Sequence, residues 1–85
     1  LIPTGKCARV NAAHSAGAIL NVEVKRNLTE QRRAHEIGDT VSEQFRAQQV
    51  KDLKVVVNYY NEVAEAIRLD KPIPPAPPEV ALVDS

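Results

Sequence analysis

The stretch HEIGDTVSEQF, residues 35–45, holds the residue types from which a chemical site is most readily built. On a continuous helix His35, Asp39 and Glu43 stand four apart and share one face. One imidazole and two carboxylates in that arrangement offer donors to a metal ion, or an acid and a base for proton transfer. A helical metal site normally adds ligands from a second helix and rests on hydrogen-bonded supports. Nothing in the sequence fixes His14, the other histidine, beside this face, and Glu36 joins it only from a neighbouring one. Two histidines four apart would be a strong signal, and this stretch has one.

The same letters also read as punctuation. Gly38 follows Ile37 where a helix-ending glycine stands. Thr40 precedes Glu43 in the Ser/Thr-x-x-Glu spacing of a capping box, and Asp39 is a second candidate cap. These roles account for Gly38, Asp39, Thr40 and Glu43 together, so a metal or catalytic role at His35 ranks last among three functional readings.

The remaining motifs carry little chemistry. Thr4-Gly5-Lys6-Cys7 ends like a phosphate loop but lacks the upstream glycine, the closing Ser/Thr and the strand. Cys7 is the only cysteine, which excludes a disulfide framework and a cysteine zinc site. Asn27-Leu28-Thr29 matches the N-glycosylation triplet. No serine pairs with a histidine and an acid as a triad would require. The sequence therefore calls for no catalytic residue, no metal and no cofactor.

The elements that carry these residues fall into three zones. Residues 1–27 open with a loop-like start and continue as helix or strand. Val10, Ala13, Gly17, Leu20 and Val24 keep helical spacing, whereas Leu20, Val22 and Val24 alternate as in a strand. Residues 28–70 read as one long amphipathic helix or a kinked helix pair, opened by Asn27 with Glu30 three positions on. Its apolar seam runs Ala34, Ile37, Val41, Phe45, Gln49, Leu53, Val56, Tyr60, Val63, Ile67, in steps of three and four. A straight helix of that span would be about 65 Å long, so it must lie along a partner, pair with its own copy or fold back. A kink at 38–40 that preserves the seam is expected over a full reversal. Residues 71–85 form a proline-rich extended tail, in which Pro74, Pro75, Pro77 and Pro78 stand ready for contact.

Composition bounds the function. The chain has 85 residues, a formal net charge of +0 and one phenylalanine. Charge neutrality gives no ground for a nucleic-acid partner or an anionic membrane. No apolar run approaches the roughly 20 residues of a membrane helix. The chain has no methionine, so Leu1 is not an initiator and processing or origin in a longer chain is expected. Its compartment is left open.

The reading is a mainly α chain that is not an independent compact globule. It is expected to be a non-enzymatic structural subunit of a larger assembly, such as a virion, an envelope or secretion complex, or an organellar complex. Its interface would be Phe45, Leu53, Val56, Tyr60, Val63 and Ile67, through self-association or within a multi-protein complex. The alternative is an adaptor whose tail presents a PxxP ligand to a proline-reading domain.

Overall fold

The computed structural model describes residues 5–83. It contains α1 (Lys6–Glu36), α2 (Thr40–Arg68) and a short α3 (Pro78–Val83). Among the described residues there is no strand. Residues 19–25 are helical, and α1 runs unbroken across Asn27, where the sequence reading began a new helix. Residues 28–70, read as one long helix or a kinked helix pair, are divided between α1 and α2, and the chain reverses between them where a milder kink is expected.

The reversal needs only Ile37, Gly38 and Asp39, because both orphaned helix ends are satisfied locally. Gly38 has φ 76°, the left-handed conformation that costs a side-chain-bearing residue most. Its N–H bonds to the His35 carbonyl at 3.1 Å, and the Asp39 N–H bonds to the Ala34 carbonyl at 2.9 Å. This pair of bonds closes α1 as a Schellman motif. Asp39 then caps α2, its carboxylate accepting from the Ser42 N–H at 3.1 Å. The capping role thus falls to Asp39 rather than to the Thr40–Glu43 box, and Thr40 is the first residue of α2. The second helix ends the same way: Asp70 takes φ 55°, and the Lys71 N–H reaches the Ala66 carbonyl at 2.8 Å.

The two long helices pack antiparallel along their length. Buried and half-buried positions on α1 run Val10, Ala13, Gly17, Leu20, Val24, Asn27, Gln31, Ala34. Those on α2 run Glu43, Arg46, Val50, Leu53, Val57, Tyr60, Ala64, Ile67. Both alternate three and four, the spacing of a left-handed coiled-coil seam. Gly17 faces α2 directly. A Cβ placed on Gly17 would lie 3.5 Å from Asn61 Oδ1 and 3.9 Å from the Val57 carbonyl oxygen.

After α2 the chain turns again and returns along it. The Tyr59 hydroxyl donates to the Pro74 carbonyl at 3.2 Å. Val83 of α3 packs against the cluster of Leu20, Val24, Val50 and Leu53, so the end of the chain reaches the middle of the hairpin. A second row on α2, namely Asp52, Val56, Tyr59, Val63 and Ala66, is buried or half-buried on the side where the tail returns. Residues 78–83 are therefore a short helix within the tail expected to be extended over 71–85, whose last two residues lie outside the described ones. The molecule measures 50 × 26 × 21 Å.

Candidate functional site

The turn brings His35 and Glu43 together in a way a continuous helix would not. His35 stands in the last turn of α1 and Glu43 in the first turn of α2, with Nδ1 and Oε2 2.7 Å apart. Asp39, the third residue of that candidate set, turns away to Ser42. Hydrogen bonds from the Ser42 side chain and backbone hold its carboxyl below the usual carboxylate range. Among the described residues no three His, Cys, Asp or Glu side chains gather as a metal site would require. His35 is exposed, and the pair acts as a clamp across the turn.

The most constrained polar contact lies deeper in the hairpin. Asn27 is buried, with its side-chain nitrogen donating to the Glu23 carbonyl at 2.9 Å. Its side-chain oxygen accepts from Arg46 Nη1 at 2.9 Å, joining α1 to α2. Among the described residues no buried side-chain nitrogen or oxygen lacks a partner, and this bridge is how Asn27 meets that condition. A polar layer inside an apolar seam specifies register, since any slip separates the two partners. Sequence spacing gives Asn27 a capping role instead. A polar residue in step with Val10, Ala13, Gly17, Leu20 and Val24 was the signal that would have placed it. The same burial withdraws Asn27 from modification at the Asn-Leu-Thr triplet in the folded chain.

Arg46→Ala is expected to leave the Asn27 oxygen unpaired and to cost about 1–3 kcal/mol, measured by urea unfolding. Replacing both residues by leucine should recover most of that loss while relaxing the register. An Arg46→Ala chain as stable as the parent would remove the bridge from the account.

The expected interface residues divide between inside and outside. Leu53, Val56 and Ile67 are buried within the chain itself, and Val56 is 0% exposed. Tyr60 and Val63 are half-buried, with the Tyr60 ring centroid 5.7 Å from that of Tyr59. Phe45 is 57% exposed, and Ile37 and Val41 beside it are exposed as well. In the tail Pro74 and Pro77 are half-buried against α2, and Pro75 and Pro78 are exposed.

The outward side of α1 has a character that seam reading did not single out. From Val10 to Val22 the only ionisable side chain is His14. Ile19 and Val22 are 67% and 64% exposed there, with Ala12, Ser15 and Ala18 also exposed around them. The outward side of α2 instead carries Lys51, Lys54, Glu62 and Glu65, as a solvated helix face normally does. No described helix is long and apolar enough to cross a membrane. Comparison with known proteins gives no match: no family model, no curated protein and no solved structure corresponds to the chain.

Proposed function

We propose that the chain is a non-enzymatic structural subunit that associates through helix–helix contacts, first with a second copy of itself. The observation that carries this reading is the uncharged outer face of α1 around Ile19 and Val22. Two such faces have no charges to desolvate or oppose, and their alanines and serine permit close approach. Burying apolar surface contributes about 25 cal/mol per Å², so a long helical contact accumulates stability even from small side chains. Leu53, Val56 and Ile67 are occupied inside the hairpin, which leaves this face and the exposed turn end with Phe45 for assembly. A repeated particle, an envelope complex or an organellar complex is the setting that such a small subunit suits.

The test is light scattering on the parent chain and on the double variant Ile19→Glu, Val22→Lys, with circular dichroism as the control. The parent should gain mass with concentration, and the variant should stay monomeric with unchanged helicity. A parent that remains monomeric into the millimolar range, or a variant that assembles equally well, rejects the reading.

A further inference from the structure

The tail from Lys71 to Pro77, with Pro78 opening α3, has one edge in use and two edges free. Nearly every residue of this stretch is a proline or precedes one, which restricts the backbone to the polyproline II region. Such a helix has three residues per turn, so it is a triangular prism whose edges collect residues three apart. The exposure pattern follows that period. Pro74 and Pro77 are half-buried against α2, whereas Pro72, Pro75 and Pro78 are exposed, as are Ile73 and Ala76. Tyr59 fixes the inner edge by donating to the Pro74 carbonyl, and α2 supplies Val55, Asn58 and Glu62 to the groove beside it, whose rim includes Pro75.

We propose that the outer ridge Pro72–Pro75–Pro78 is a binding site for a proline-reading domain with an aromatic-lined groove. Such grooves grip polyproline II by two edges and bond its free carbonyls. Two edges are what the docked tail presents. The ligand is also held extended before the partner arrives, which removes part of the ordering cost of binding. The turn at Asp70 and the Tyr59 bond thus act as braces that display the ridge. This role is separate from association through α1, and the two surfaces fail or succeed independently.

The full chain is titrated with purified SH3, WW and EVH1 domains, and affinity is followed by fluorescence anisotropy. At least one domain class is expected to bind with a micromolar Kd. Pro72→Ala, Pro75→Ala and Pro78→Ala together should weaken that binding about tenfold or more, with helicity and light-scattering mass unchanged. Pro74→Ala with Pro77→Ala should leave affinity within about threefold of the parent, because those prolines face α2. Absence of binding by all three classes at millimolar concentration overturns the proposal. So does a triple variant that binds like the parent, or an inner-edge variant that loses binding as completely as the triple variant. Tyr59→Phe is the further check: affinity that rises sharply on loss of this bond would mean that the inner edge is the ligand.

Discussion

Leu53→Asp is expected to destabilise the chain severely or unfold it, whereas Phe45→Asp should leave the isolated hairpin folded. Leu53 is buried where Val24, Val50 and Val83 converge, and no cation stands in that cluster to pair with a carboxylate. Burying an unpaired charge belongs to the small class of substitutions that cost more than about 4–5 kcal/mol. A domain of this size holds a total stability of about 4–13 kcal/mol, so a loss of that size removes about a third of it at the least and all of it at the lower end. Phe45 lies on the same helix but is 57% exposed, and a substitution there falls within about 0.5 kcal/mol in the monomer. Thermal melts by circular dichroism separate the two. A cooperative parent-like transition for Leu53→Asp, or loss of the transition for Phe45→Asp, would mean that the seam lies elsewhere.

That contrast also locates what sequence reading reached and what it missed. Helix content and the helical spacing of α2 are legible because apolar residues recur every three or four positions. The register is not, because the seam was carried through Gly38 from Ala34. That continuation selects Ile37, Val41 and Phe45, all of which are exposed in the folded chain. It meets the observed seam again at Leu53, Tyr60 and Ile67, and between those points it takes Val56 and Val63 where the hairpin uses Val57 and Ala64. The run Val55-Val56-Val57 satisfies either register, so local pattern cannot choose. The register is set by packing of α2 against α1, and Val56 is buried beside that seam rather than in it. Reversal at residues 37–39 was foreshadowed by Gly38 and Asp39. A mild kink would leave a long helix without support along its length, and the reversal supplies that support from α1. For the candidate site, His35 and Glu43 were legible as neighbours in sequence spacing, but their contact runs across the turn rather than along one helix.

Gly17→Leu is the second substitution with a large expected effect, and Gly17→Ala is its counterpart of opposite sign. Gly17 is buried on α1 facing Val57, Tyr60 and Asn61 of α2. A Cβ there meets Asn61 Oδ1 at 3.5 Å and Tyr60 Cβ at 3.9 Å, ordinary contact distances. Alanine therefore fits, fills space and removes the conformational cost of glycine within a helix, for a gain of about 0.5–1 kcal/mol. Leucine adds three more carbons directed at the Val57 carbonyl and the Tyr60 stem, which are backbone and near-backbone atoms that cannot swing aside. Overpacking of this kind typically costs about 1–3 kcal/mol. The helices must then separate locally, which loosens the Tyr60 and Ala64 layers on either side. Urea unfolding of the three chains should rank them alanine, parent, leucine in falling stability. If leucine is tolerated as well as alanine, α1 and α2 do not approach here as described.

The Lys6–Asp70 ion pair, 2.6 Å across, places the start of α1 beside the end of α2. Exposed as it is, the pair adds little stability. Its position has a mechanical meaning. Tension applied between the two ends of the hairpin meets the layers one after another, beginning with Ile67 and Val10, and peels them like a zipper. Tension applied across the long faces of neighbouring molecules meets all the layers at once, in shear. A subunit joined to its surroundings through the faces of its helices would therefore bear far more load than one held by its ends.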